Sequence, residues 1–216
     1  PLTSIYGSCS AIMENYDRLK KEQTWKLLGE MKEDAEWLIR MVENLLSVTR
    51  LDGNAASVVK RPIVLEELID AVLVKFKKRY PNQPVQVQIP DQFVSIPMDA
   101  MLIEQVLINI LENAVFHAGN ISLLSLRVFL SGPRAVFEIS DDGCGIPRDR
   151  LNTLFSGYIG KGPAPADGNK HGMGIGLSVC ATIIRAHGGD MQAESRAGKG
   201  TVMRFSLETE DVEHEQ

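Results

Sequence analysis

Cysteine, aromatic side chains and positive charge are all sparse in this chain. Three cysteines, Cys9, Cys144 and Cys180, stand far apart among 216 residues. An odd and scattered set excludes a disulfide framework and favours a reducing, cytosolic setting. The four histidines, His117, His171, His187 and His214, show no metal-ligand spacing with those cysteines. No run of about 18 apolar residues is present, so no spanning helix and no membrane contact are expected of this segment. There is no signal-peptide pattern, and Pro1 opens in mid-pattern, as though cut from something longer. A net charge of −5 gives no basic excess, so nucleic acid is not an expected partner. What remains is a 44% apolar composition, enough for one large domain or two small ones.

The first fifty residues read as paired helices. Leu2, Ile5, Cys9, Ile12, Tyr16 and Leu19 alternate spacings of three and four, and so do Leu28, Met31, Ala35, Leu38, Val42, Leu45 and Thr49. That rhythm is the seam of a coiled-coil-like bundle. The turn is expected near residues 19–25. One hairpin has too little surface to cover both seams, so residues 1–51 are expected to form a homodimeric four-helix bundle. A hairpin packed on its own C-terminal domain is the alternative. Gly53 and Asn54 end the helical pattern. Residues 52–61 read as a linker, 62–208 as a second domain, and 209–216 as a frayed acidic tail.

Residues 62–208 alternate between element types. Helices are expected at 65–78, 99–117, 148–155 and 175–187, with Asp99 capping the second of these. Strands are expected at 85–89, 93–96, 122–130, 135–140, 191–195 and 202–207. Mixed strands with helices on one face give an α+β chain whose second domain is an α/β sandwich.

Four segments carry candidate chemistry. Asn109 and Asn113 are one helical turn apart and aim two amides at one place. Their carbonyl oxygens suit Mg²⁺, a hard cation usually shared with substrate phosphates. Asp141 follows an alternating strand, and Gly143 and Gly145 allow the backbone to approach a flat ligand closely. A plain β-turn is the simpler reading of that segment. Residues 156–171 are rich in Gly, Pro and Ala, like a lid loop. They lead into Gly172-Met173-Gly174-Ile175-Gly176 at a helix start, a natural phosphate cradle. A dinucleotide-binding reading would need a strand just before these glycines, and a loop is there instead. Gly198-Lys199-Gly200-Thr201 forms a turn between the last two strands.

In this order, the segments resemble the ATP-binding domain of sensor histidine kinases, within the superfamily shared with DNA gyrase, Hsp90 and MutL. PLTSI at the start, WLIRMVENLLSVTRLD, IEQVLINILENAV and IIRAHGGD are most similar to the KdpD-type sensor kinases. The resemblance implies ATP and Mg²⁺ as cofactors, with Asn113 the principal metal ligand and Asn109 a possible second. It implies that the Asp141 carboxylate receives the adenine amino group. It implies further nucleotide contacts from His117, Gly143, Gly145, Ile146, Tyr158, Lys161, Gly172, Met173, Gly174, Ile175, Gly176, Leu177 and Thr201. Departures from the family pattern are Phe116 and His117, where a basic and then an aromatic residue are usual, and Gly160, where an arginine is usual. Lys161 or Lys170 could supply a cation, without arginine's forked geometry.

The implied reaction moves the ATP γ-phosphoryl group to a histidine and then to an aspartate on a response-regulator receiver domain. The phosphoacceptor segment that precedes PLTSI in that family is not among these residues. This segment is therefore expected to bind ATP without phosphorylating itself. The full-length protein is expected to be anchored in the bacterial inner membrane with this part cytoplasmic. Rival readings are a dimeric scaffold with a decayed nucleotide site, a gyrase-type ATPase and an anti-sigma-factor kinase. A gyrase-type ATPase needs a glutamate where Asn109 stands. An anti-sigma-factor kinase lacks the helical hairpin.

Overall fold

The structure, a computed structural model, describes residues 1–52, 58–119, 121–155 and 175–209. It opens with α1 (Leu2–Glu14) and α2 (Lys21–Asp52), which pack together. The turn occupies residues 15–20, earlier than expected, and the reason is Asn15. Its backbone N–H and its side-chain amide both donate to the Ala11 carbonyl, at 3.2 and 3.1 Å. A short amide that competes for backbone partners favours a helix end. It overrides the apolar rhythm that had extended the helix through Tyr16 and Leu19. Asp52 closes α2 where Gly53 and Asn54 were expected to stop it.

The second part of the chain begins with β1 (Arg61–Val64) and α3 (Leu65–Arg79). Then come β2 (Gln86–Gln88), β3 (Ser95–Met98) and α4 (Ala100–His117). The hairpin of β4 (Leu124–Ser131) and β5 (Arg134–Asp141) follows, then the short α5 (Arg148–Leu151). The described chain ends with α6 (Ile175–Ala186), β6 (Asp190–Ser195) and β7 (Thr201–Glu208). Five strands form one mixed sheet in the order β2-β4-β5-β7-β6. Only the β2–β4 pair in that sheet is parallel. β1 and β3 form a separate antiparallel pair. β1 was not expected, and β3 lies two residues later than the strand read at 93–96. Both contain a proline, Pro62 and Pro97, which weakens a strand signal.

One face of the sheet is dry. Leu124, Leu126 and Val128 of β4, Ala135, Phe137 and Ile139 of β5, and Met203, Phe205 and Leu207 of β7 are buried in strict alternation. Phe137 and Phe205 are register partners and stack at 4.6 Å with their rings 6° apart. Against this face lie α4 and α6, with α3 packed on α4. α3 contributes Leu65, Leu68, Ile69, Val72 and Phe76, the stripe of an amphipathic helix. Each fully buried aliphatic or aromatic side chain is worth about 1.5–3 kcal/mol. The opposite face is polar: Arg204 binds Glu138 at 2.5 Å and Glu194 at 2.6 Å.

Among its described residues the hairpin buries few side chains. Ser8 is the buried residue of α1, while Asp34 and Trp37 of α2 are buried and α2 lies against α6. Leu2, Tyr6, Leu28 and Val42 remain 45–75% exposed. Among the described residues no helix is long and apolar enough to cross a membrane.

α4 and α6 are joined end to end by one imidazole. Asp99 caps α4, its carboxylate accepting from the N–H groups of Met101 and Leu102. The N–H of Asp99 itself donates to His187 Nε2 at 3.1 Å. His187 Nδ1 therefore bears the proton and donates to the Ile183 carbonyl at 2.8 Å. Lys60 Nζ donates to the His187 carbonyl at 2.8 Å. Burial holds the His187 pKa below its ordinary 6.5, with the Lys60 charge adding and the Ile183 bond and Asp99 charge opposing.

A neutral His187 fixes the sign of a pH effect. Above about pH 6.5 the imidazole is neutral both folded and unfolded, and its contribution to stability is complete. As pH falls below that value the unfolded chain takes up the proton first, and stability is lost until the depressed folded pKa is reached. In urea titrations at pH 8 and pH 5.5, His187→Gln is expected to cost about 1–3 kcal/mol at pH 8. It should also lose less stability than the unmodified protein on acidification. Parallel pH profiles would show that His187 is not the titrating group.

Candidate functional site

Strand β5 ends at Asp141, half-buried and opposite Thr201 in the register. Its Oδ1 accepts the Gly143 N–H at 2.9 Å. Burial raises the carboxyl pKa above the ordinary carboxylate range, against the opposing N–H groups of Gly143 and Thr201, with the charge of Asp142 adding to the rise. Asp142 does different work. It points outward, where Oδ1 takes the N–H groups of Ser122 and Leu123 at 2.9 and 3.0 Å. These bonds, Leu123 first, pull its pKa down. The first aspartate is an aimed acceptor and the second clamps the chain leading into β4.

The glycines here let backbone approach backbone. A Cβ on Gly143 would lie 2.2 Å from that of Ala118, just past α4. One on Gly145 would lie 2.1 Å from the Arg196 carbonyl oxygen, and one on Gly200 1.9 Å from that of Asp141. Gly145 and Gly200 also have φ of +69° and +81°. The close approach expected toward a flat ligand at Gly143 and Gly145 is thus, in the first place, an approach to the protein's own chain. Short bonds seal these crossings: Cys144 N–H to the Ala118 carbonyl and Gly198 N–H to the Cys144 carbonyl, both 2.7 Å.

Ser195 is the residue the sequence reading missed. Its hydroxyl meets the Ile146 N–H at 2.7 Å, the Gly200 carbonyl at 2.8 Å and the Thr201 hydroxyl at 3.0 Å. The signal was present in the strand. Met191, Ala193 and Ser195 share the inward parity of β6, and a hydroxyl there needs partners.

Helix geometry gathers the remaining residues. α4 begins where α6 ends, at the Asp99–His187 bond, and mid-helix the Asn109 amide donates to Cys180 Sγ at 3.8 Å. The two helices therefore run antiparallel, and Asn113, one turn beyond Asn109, falls beside the first turn of α6. Cys180 is fully buried and its thiol is pushed up to about 12, so it is inert packing. Asn109 is thus engaged in joining the helices. Asn113 is half-buried and its side-chain amide has no hydrogen-bond partner among the described residues.

The other expected contacts divide. Thr201 is buried beside Asp141. Leu177 packs into the core and Ile146 against it. Gly176 is half-buried in the first turn of α6, and Ile175 begins that helix. His117 is exposed at the last turn of α4, and its carbonyl accepts the Cys144 thiol at 3.2 Å. Phe116 turns away and meets Tyr80 edge to face at 6.0 Å. Tyr158, Lys161, Gly172, Met173 and Gly174, with Gly160 and Lys170, lie outside the described residues. The expected helix at 148–155 is shorter, ending at Leu151, with turns to Phe155. A cavity of about 300 Å³ lined by residues 88–92 and 127–130 opens toward the far end of β4 from Asp141 and takes no part in this cluster.

The glycine crossings make a graded test. Gly198 has φ of +75° with open space around its missing Cβ, whereas Gly200 meets the Asp141 backbone. Gly198→Ala is expected to cost about 1–2 kcal/mol, the scale of left-handed backbone strain alone. Gly200→Ala should cost clearly more by chemical denaturation. Equal costs would show that the Gly200–Asp141 crossing is looser than described.

A carboxylate at a strand end, an amide on the facing helix and a helix N-terminus thus meet at one end of the sheet. Residues 98–211, more than half of the chain, match the family described as histidine kinase-, DNA gyrase B- and HSP90-like ATPases. The sensor protein KdpD of Clostridium acetobutylicum is 34% identical over 97% of this chain, which spans 23% of that relative. Among solved structures, the Acinetobacter baumannii histidine kinase AdeS superposes with a TM-score of 0.71 at 19% identity, covering 98% of this chain and 96% of that one. Histidine kinase ThkA, solved in complex with the response regulator protein TrrA, gives 0.69 at 22% identity, covering 95% and 57%. At those identities the two structures establish the fold. The matched family model runs from the last residue of β3 through β7 and so contains Asn113, Asp141 and Thr201 together, which places this chain among the histidine kinase-, DNA gyrase B- and HSP90-like ATPases.

Proposed function

We propose that this chain is the dimerisation and ATP-binding part of a KdpD-type sensor histidine kinase, serving transfer of the ATP γ-phosphoryl group to a histidine and onward to a response regulator. The observation behind this is the Asp141 carboxylate, fixed at a strand end beside the C-terminal half of α4, within the span that matches the family. A buried acceptor suits the amino group of adenine. The oxygen that guanine offers there would leave the carboxylate unpaired. The α6 N-terminus favours the negative charge of phosphates. Asn113 fits a magnesium site, because its half-buried amide has no partner among the described residues and its carbonyl oxygen suits a hard cation; Mg²⁺, when bound, neutralises charge on the β- and γ-phosphates. Asn109 is the weaker candidate, since it already bridges to Cys180. The protein's own contribution is mainly positioning and electrostatic stabilisation.

The hairpin supports the second part of the reading. Its exposed apolar residues are what a second copy would cover in a four-helix bundle, with the receiver domain of a regulator as a further partner. Of the histidines, His187 is buried with both ring nitrogens bonded, so it is no acceptor. Incubation of these residues with ATP is expected to give no phosphohistidine.

Calorimetric titration of ATP with and without Mg²⁺ tests the pocket. Binding is expected to tighten with Mg²⁺ and to weaken by at least about tenfold in Asp141→Asn, the scale of one charge-assisted hydrogen bond. Because the Asp141 pKa is raised, affinity should begin to fall at a higher pH than an ordinary carboxylate would dictate. No binding at millimolar ATP would favour the scaffold reading. Sedimentation equilibrium tests the bundle. The unmodified chain is expected at twice the chain mass, and Leu28→Glu with Val42→Glu at the monomer mass; a monomeric unmodified chain would defeat the dimer.

A further inference from the structure

We infer that Ser195 sets which base the pocket accepts, by fixing the direction of the Thr201 hydroxyl. The inference rests on the nucleotide reading above and follows from counting hydrogens. Ser195 Oγ carries one proton and two lone pairs. The Gly200 carbonyl can only accept, so the Ser195 proton goes to it, at 2.8 Å. The Ile146 N–H can only donate, so it occupies one Ser195 lone pair, at 2.7 Å. The Thr201 hydroxyl, 3.0 Å away, must then be a donor to the second lone pair. With its proton spent on Ser195, Thr201 Oγ1 keeps only acceptor capacity.

Thr201 is the register partner of Asp141, and its backbone N–H opposes the rise in that carboxyl's pKa. The neighbouring Asp141 carboxylate is likewise an acceptor. The end of β5 and the start of β7 thus present acceptors, with no hydroxyl proton left to offer. With the six-position of the base held at Asp141, as in the reading above, the adenine amino group has two hydrogens and can donate to both acceptors. A base edge that accepts, as guanine O6 does, meets lone pairs. Without Ser195, the Thr201 hydroxyl is free to turn and donate, which would let the pocket serve guanine as well. Ser195 also binds the Ile146 N–H just after the D-x-G-x-G segment, so one side chain joins the two glycine segments that frame Asp141. It touches no ligand in this scheme and is a positioning residue.

The test is calorimetric titration of ADP and GDP, each with Mg²⁺, into the unmodified chain, Ser195→Ala, Ser195→Thr, Thr201→Val and the Ser195→Ala/Thr201→Val pair. The preference for ADP over GDP is expected to narrow by about tenfold in Ser195→Ala, the scale of one neutral hydrogen bond. Ser195→Thr keeps the hydroxyl and should restore the preference. Thr201→Val should narrow it similarly, and the double variant should go no further, because both changes remove one coupled interaction. A Ser195→Ala protein that weakens for ADP and GDP equally would assign Ser195 a structural role and overturn the inference. An unchanged preference in Thr201→Val would overturn it too, and this arm decides the matter if Ser195→Ala does not fold. Binding of ADP by the unmodified chain with either of those results leaves the nucleotide reading standing. No ADP binding at all removes that reading and this inference with it.

Discussion

The site depends on how closely three stretches of backbone cross at one end of the sheet. Gly143 lies against Ala118, Gly145 against Arg196, and Gly200 against Asp141, each nearer than any side chain would allow. These contacts bring the end of α4, the turn after β5 and the turn before β7 to a common point. Asp141 is aimed because the chain on either side of it is trapped. The same position half-buries the carboxyl beside the Asp142 charge, and both raise its pKa.

The helical layer supplies the other wall by the same economy of contacts. The antiparallel course of α4 and α6 is set at its ends by His187 and Asp99 and at its middle by Asn109 and Cys180. Two of these residues carry groups that would look chemically active in isolation, a histidine and a cysteine. Both are consumed by packing: the imidazole is neutral and bonded on both nitrogens, and the thiol is buried and firmly protonated. Among the described residues, the neighbouring Asn113 is what this arrangement leaves without a partner.

Much of this was legible in the chain itself. Strict alternation in β4, β5 and β7 and the 3.6-residue stripes of α3 and α4 follow from one-sided burial, and Asp99 announced the start of α4. The failures have local causes. Asn15 ended α1 ahead of its apolar rhythm, and prolines hid β1 and shifted β3. The glycine segments marked close backbone approaches, but a sequence does not reveal which neighbour a missing Cβ spares. Ser195 escaped because its partners, Ile146, Gly200 and Thr201, come from two separate segments. Only the folded register brings them to one hydroxyl.

Glu112, next to Asn113, is buried at 4% exposure and paired with Arg79 at the end of α3. Successive residues on a helix point about 100° apart. A carboxylate pinned to a neighbouring helix therefore sets the rotational phase of α4 as a keyway sets a shaft. Asn113 is indexed by its neighbour's ion pair. Rotating α4 to re-aim its amide would strip a buried carboxylate of its counter-ion.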